Sequence, residues 1–159
     1  MTVADPLPPL GNDAVLITVN NRLAGHLRAR YDNAQAAQGR MVWESRDILP
    51  WGAWLRRAYT QLIDNGHCTA DLLTHSQELA LWEAVIGRHS ETPLLRPTAA
   101  ADLASDAFAR SCAWSLDISD VAATAGTDTR VFEKWSQAFR RTAKNNDFIV
   151  AAELVAVIH

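Results

Sequence analysis

The sequence predicts an α/β fold that is mostly helical, with a small, incomplete parallel sheet followed by an all-helical subdomain. Two observations predict it: a strand, helix and strand pattern occupies the first part of the chain, and amphipathic helical stripes fill the remainder. A length of 159 residues, 48% of them hydrophobic, is enough to bury a core. We expect a flexible leader over 1–13, a βαβ segment over 14–66 and a helical subdomain over 67–159.

Three consecutive patterns predict the βαβ segment. An apolar strand over 14–19 leads into a helix over 21–38, and Gly39 is placed to be the left-handed residue that follows a helix. Residues 41–44 predict a second strand, parallel to the first because the helix makes a right-handed crossover. A two-stranded parallel sheet has two open edges, so we expect further strands outside these 159 residues.

Capping residues predict the helices that follow. Pro50 and Gly66 suit the start and the end of one helix, and Thr74 with Gln77 forms a capping box for the next. Further helices are expected from near Thr98, over 117–123, and from Thr127 or Asp128 to near Lys144. The final stretch, 148–158, is apolar on nearly all sides, so we expect a partner to cover it.

Tryptophan is frequent in this chain, with six residues. Four of them lie on apolar helical stripes and are predicted to pack in the core: Trp54, Trp82, Trp114 and Trp135. Trp43 and Trp51 flank the loop that leads into the helix starting at Pro50, so both core packing and base stacking stay open for them.

Charge divides the chain unevenly. The net charge of −3 argues against a protein that binds nucleic acid over most of its surface. Residues 20–60 nevertheless hold seven arginines against three acids, a balance of +4, whereas 61–126 hold nine acids against three arginines, a balance of −6. The basic part coincides with the predicted βαβ segment.

The entrance to the first helix is a candidate phosphate site. The first turn of a helix offers backbone N–H groups without intrahelical partners, and here it also offers the cation of Arg22. His26 and Arg30 continue a row at i, i+4 and i+8. A strand followed by a helix also begins any plain α/β scaffold, so the structural interpretation stays open beside the functional one.

Residues 18–31 resemble motif Ia of superfamily-1 DNA helicases, whose pattern is T-F-T-N-K-A-A-x-E-M-x-x-R-I. Thr18, Asn21 and Arg22 match its first threonine, its asparagine and its lysine. In that family the segment touches the backbone of single-stranded DNA, so the resemblance implies this role for the three residues. Asn20 departs from the pattern but lies in the same turn, and we include it in the predicted site.

A longer resemblance is to the N-terminal region of bacterial proteins described as probable DNA repair proteins. The chain carries TVNNRLAGHLRARY, then ILPWGAWL at 48–55, then SQELALWEAVI at 76–86, in the order of that family. Its members are long chains of the RecB/AddB type, with an inactivated helicase-like region in front and a PD-(D/E)xK nuclease domain at the far end. Residues 41–59 also resemble the next helicase block, which places Ser45 near a DNA-contacting threonine.

Catalytic and cofactor motifs are not found in this sequence. No G-x-x-x-x-G-K-[S/T] loop precedes the first strand, so ATP binding and other cofactors are not expected. Neither Lys134 nor Lys144 follows an acid by two residues, as a PD-(D/E)xK nuclease requires. The spacing of His67, Cys68 and His75 fits no standard metal site, so we expect neither catalytic residues nor a metal.

Together these patterns predict a non-catalytic, helicase-like segment that binds single-stranded DNA and docks onto the rest of a longer chain or a nuclease or helicase partner. The DNA-binding residues would be Thr18, Asn20, Asn21, Arg22 and Ser45. No apolar run is long enough for a membrane span, which favours a cytoplasmic protein. The alternative is a protein–protein interaction module that makes no DNA contact.

Overall fold

The computed structural model describes residues 14–90, 95–124 and 126–159, and the predicted leader over 1–13 lies outside them. The fold class is confirmed: these residues form a mostly helical α/β structure with seven α-helices and two parallel sheets of two strands each. The chain divides into two compact units, 1–58 and 59–159. The division falls inside a helix, eight residues before the boundary predicted at 66.

The first unit contains the predicted βαβ arrangement. Its elements are β1 (Leu16–Thr18), α1 (Asn21–Ala37), β2 (Ile48–Pro50) and the first part of α2 (Trp51–Asp64). The two strands are parallel, with Leu16 opposite Ile48 and Thr18 opposite Pro50. Gly39 has a φ of +77°, which confirms the left-handed residue expected after α1.

The predicted position of the second strand, 41–44, is wrong. Met41 and Val42 are 94% and 89% exposed, and β2 lies at Ile48–Pro50 instead. Ile48 is buried against Ala24 and Tyr31, which gives this segment the apolar contact that a strand needs and that Val42 lacks. Burial in the tertiary structure therefore overrides the β-propensity of the earlier segment.

The two outer edges of this sheet differ. Two nitrogens of the Arg28 guanidinium, Nε at 3.1 Å and Nη2, donate to the carbonyl of Ile48, and Pro50 has no N–H, so β2 offers little for a further strand to pair with. On β1, the amide of Leu16 donates to Asp47, so the alternation along a strand directs the N–H and C=O of Ile17 away from β2. Within the described residues, no strand pairs with this edge of β1.

The second unit is built around α3 (His75–His89), α4 (Pro97–Ala113) and α6 (Thr127–Asn145). Its core is aromatic: the Trp82 ring stacks on Phe139 with centroids 3.9 Å apart and planes 6° apart, and Phe108 meets Trp82 at 5.7 Å. The remaining elements are β3 (Asp71–Leu72), α5 (Ile118–Thr124), β4 (Phe148–Ile149), a 3₁₀ turn at Ala151–Glu153 and α7 (Leu154–Ile158).

A second parallel sheet was not predicted. Asp71 and Leu72 of β3 pair with Phe148 and Ile149 of β4. Two-residue strands more than seventy positions apart in the sequence carry no periodicity that would reveal them. This sheet brings the apolar final stretch into the unit, where Val150 is buried.

Helix capping agrees with the sequence at α3 but not at α6, and one helical stripe also differs. The cap predicted at Thr127 or Asp128 is wrong, because Gly126 is the N-cap of α6 and no side chain forms a cap hydrogen bond there. The capping box of Thr74 and Gln77 is confirmed at the start of α3. The core position predicted for Trp114 is wrong, because the side chain is 76% exposed just after the end of α4. The buried face of α4 is formed by small residues and one aromatic: Ala101, Ala104, Ser105, Phe108 and Ser111.

Candidate nucleic-acid interface

The two helices of the first unit begin at the same edge of the sheet. Thr18 ends β1 directly opposite Pro50, which ends β2, so the chain enters both α1 and α2 from the carboxyl edge. In open α/β sheets ligands bind outside the carboxyl ends of the strands. We define the carboxyl edge of this unit as residues 19–22 and 51–52.

Asn20 forms the N-cap of α1. Its backbone is extended and its Oδ1 accepts a hydrogen bond from the amide of Leu23 at 2.9 Å. The first backbone bond of the helix runs from Ala24 to the carbonyl of Asn20, so the amides of Asn21 and Arg22 have no partner within the helix. The first turn of α1 contains no acid, so nothing there offsets the positive end of the helix dipole.

Thr18 is placed differently from the other predicted site residues. Its side chain is buried, with 5% of its surface exposed. The hydroxyl donates to the carbonyl oxygen of Asn20 at 3.0 Å and lies 3.4 Å from that of Leu49, a second acceptor. Thr18 therefore holds the turn in shape and does not offer its hydroxyl to a ligand.

Arg22 begins an exposed row of basic side chains along α1. Arg22, His26 and Arg30 are all exposed, and none makes a hydrogen bond or ion pair within the described part of the chain. The row extends from the helix start for about 12 Å, since a helix rises 1.5 Å per residue. Asn21 is exposed beside its first member.

Ser45 is not brought to this edge. It is exposed in the loop before β2, and therefore lies at the amino end of that strand, opposite the carboxyl edge. Since β2 begins at Ile48, the residues that follow the strand are Trp51 and Gly52. The resemblance to the helicase block placed the strand too early and so selected a residue on the wrong side of it.

Trp51 is the site residue that the sequence left undecided. It is 44% exposed, and its ring stacks on Trp54 with centroids 5.2 Å apart and planes 17° apart. Nη1 of Arg56 lies 4.0 Å from the position that a Cβ on Gly52 would take. The exposed indole ring of Trp51 and the guanidinium of Arg56 thus both lie at the first turn of α2. The signal in the sequence was the dipeptide Pro50-Trp51, a proline ending a strand directly before a helix.

Other arginines of the unit have structural roles. The guanidinium of Arg57 forms an ion pair with Asp47 at 2.7 Å, and that of Arg46 lies 5.3 Å from the centroid of the Tyr31 ring. Arg28 is bound to the carbonyl of Ile48. The positive balance of the unit therefore includes cations that hold its own loop and strand, whereas the side chains of Arg22 and Arg30 are exposed and have no such structural role among the described residues.

In the second unit, hydrogen bonding and burial shift the pKa values of several titratable groups. The Tyr59 hydroxyl donates to the carbonyl of Ala70 at 2.6 Å and lies 3.1 Å from Sγ of Cys68. Burial raises the pKa of Tyr59, and the hydrogen bond with Tyr59 lowers the pKa of Cys68. Burial also raises the pKa of Glu153, which Arg140 partly opposes.

Metal ligands and membrane spans were sought in the part of the chain that the structure describes. No group of three or more His, Cys, Asp or Glu side chains is arranged there to hold a metal, and this includes His67 and His75. Among the same residues, no helix combines the length and the apolar character needed to cross a bilayer.

Comparison with known proteins gives no assignment. No protein-family model matches this chain, and no curated protein matches it. A functional assignment therefore rests on the geometry of the carboxyl edge and on the resemblances carried by the sequence.

Proposed function

We propose that the first unit binds the backbone of single-stranded DNA at its carboxyl edge. A phosphate would accept hydrogen bonds from the amides of Asn21 and Arg22 and pair with the Arg22 guanidinium, while Asn20 caps the helix. The observation that carries the proposal is the start of α1, where partnerless amides, an exposed arginine and no acid coincide. Thr18 supports this turn from inside.

Charge supports the first unit as the DNA-binding part. Residues 14–58 hold seven arginines against three acids, and the exposed row along α1 continues from the phosphate position. Residues 59–159 hold eight basic residues against thirteen acids. Phosphate contacts to single strands release bound counterions, so binding should weaken with salt by a log–log slope of about −0.7 per contact.

The protein in which this unit acts would be a DNA repair protein of the RecB/AddB type. The order of the three resembling segments supports this, with the unit as a helicase-like segment that binds no nucleotide and performs no catalysis. Nuclease chemistry would then belong to another domain or to a partner subunit. Such a protein would act in the cytoplasm of a bacterium, where the chromosome lies.

Fluorescence anisotropy with a labelled thymidine oligomer tests the proposal. We expect binding at low salt that weakens as salt rises, and Arg22→Ala should reduce affinity about tenfold and bring the salt slope about 0.7 closer to zero. Arg141→Ala is the matched control, because it removes the same charge from an exposed position on α6. Equal losses in the two variants, or no binding by the wild type at low salt, would refute the assignment of the site.

A protein–protein interaction module is the second candidate. Leu103 on α4 and Trp114, which directly follows this helix, are 71% and 76% exposed. Large exposed apolar side chains of this kind are typical of interfaces. If the wild type fails to bind the oligomer while Leu103 and Trp114 prove necessary for association with a partner, this candidate is favoured.

A further inference from the structure

The indole ring of Trp51 lies at the same edge as the proposed phosphate position, and phosphate binding as proposed above does not use it. Trp51 is the first residue of α2 and lies on the carboxyl edge. Trp54 covers one face of its indole, and Trp51 is still 44% exposed, which leaves the other face of the ring as the surface on which a ligand could stack. The stacking also orients the ring, since Trp54 lies one turn further along the same helix.

The surroundings of the Trp51 ring are suited to binding a polyanion. The guanidinium of Arg56 extends back over Gly52, next to Trp51, and the first turn of α2 contains no acid. The strands that lead to Asn20 and to Trp51 are adjacent, and neighbouring strands lie about 5 Å apart. A phosphate at the start of α1 and a planar group on Trp51 would therefore lie within the span of a nucleotide.

We propose that an unpaired base of the bound DNA stacks on the exposed face of Trp51, and that this contact makes the edge selective for single strands. The inference rests on the proposed function, because the phosphate at Arg22 sets the position of the strand. A base in a duplex is paired and stacked on its neighbours, so its face is not available to a side chain. Stacking on an aromatic ring accepts any base, so little sequence preference is expected.

The experiment compares three labelled ligands of about 15 nucleotides: a thymidine oligomer, an abasic oligomer with the same backbone, and a duplex. Wild type should bind the thymidine oligomer about 5- to 100-fold more tightly than the abasic one. Trp51→Leu, which keeps an apolar contact with Trp54 but no aromatic face, should remove this preference, so that the affinities for the thymidine and abasic oligomers become equal. Trp51→Phe should retain most of the preference.

The matched control is Trp114→Leu, because it removes an exposed tryptophan from the second unit. It should leave all three affinities as in the wild type. Circular dichroism checks that each variant is folded, and the comparison of wild type on the thymidine and abasic oligomers tests the inference without any variant.

The outcomes separate this inference from the proposed function. Salt-dependent binding that is lost in Arg22→Ala, but is equal for thymidine and abasic oligomers, would overturn the stacking role and leave the phosphate site standing. Equal affinity for duplex and single strand would also overturn it. Failure of the wild type to bind any of the three ligands would overturn both proposals together.

Discussion

The two units are stabilised in different ways. In the second unit the rings of Trp82, Phe108 and Phe139 pack together in a buried core, in which Trp82 stacks on Phe139 and meets Phe108 edge-on. In the described part of the first unit the buried cluster is smaller and consists of Ala24, Tyr31 and Ile48. The first unit compensates with polar contacts to its own backbone, such as the bonds of Arg28 to Ile48 and of the Tyr31 hydroxyl to Glu44. The comparison shows that the unit with the smaller core is the one whose exposed surface carries the candidate site.

The largest expected effect is in the aromatic core. Phe139→Ala removes the ring that stacks on Trp82 and leaves a cavity, so the free energy of unfolding of the second unit should fall by about 3–5 kcal/mol. Urea denaturation followed by tryptophan fluorescence measures the change. Phe132→Ala is the control, because Phe132 is only partly buried and its centroid lies 6.5 Å from that of Trp82. Equal losses would show that the stack is not the main source of stability.

A smaller effect is expected in the first unit. Arg28→Met keeps the aliphatic stem but removes the two donors to the Ile48 carbonyl, which should cost about 1 kcal/mol in local stability because the group is partly exposed to solvent. Hydrogen exchange of the Leu16 amide, which bonds across the sheet to Asp47, should be about fivefold faster. Arg30→Met should leave exchange unchanged, and an equal acceleration there would contradict the structural role of Arg28.

The smallest expected effect concerns Glu153 in the second unit. Burial raises the pKa of this carboxyl, so the folded chain binds its proton more tightly than the unfolded chain does. The contribution of Glu153 to stability is therefore fully present below the ordinary glutamate pKa and is lost as pH rises through the raised value.

Glu153→Gln removes this dependence. We expect the variant to have a higher Tm than the wild type at neutral pH and a smaller difference near pH 4, about the ordinary pKa of glutamate. Thermal melting at both pH values measures the two differences. Asp102→Asn, at an exposed position of α4, controls for the loss of a negative charge. A Tm difference that is independent of pH would show that the burial of Glu153 is not responsible.

Much of the fold could be predicted because its signals are local. The glycine after α1 and the capping box at Thr74 each involve neighbours in the sequence, and both lie where they were expected. The second strand could not be predicted, because Val42 and Ile48 have similar propensities and only packing on α1 selects Ile48. Because β2 lies at Ile48–Pro50, Ser45 precedes the strand and lies outside the candidate site, whereas Trp51 follows the strand and lies within it.

The candidate site could be predicted only in part, because some of its features follow from local sequence and others from distant contacts. The exposure of Arg22 follows from its position on the polar side of one helix. The burial of Thr18 depends on contacts with Leu49, thirty-one residues later, which no local pattern reports. For Trp114 the prediction failed in the opposite direction, because a residue expected to be buried is exposed. The apolar stripe predicted for α4 included Trp114, but the helix ends at Ala113 and the core does not extend to the residue that follows.

The two outer edges of the first sheet differ in the backbone groups that they offer, so an additional strand would pair with one edge and not with the other. On the outer edge of β2, Arg28 occupies the carbonyl of Ile48 and Pro50 has no N–H, so a strand arriving there would find few hydrogen-bond partners. On the other side Ile17 presents both a donor and an acceptor. Any strand recruited to this sheet would therefore become the neighbour of β1, and the helix that carries Arg22 would start from an interior position of the enlarged sheet.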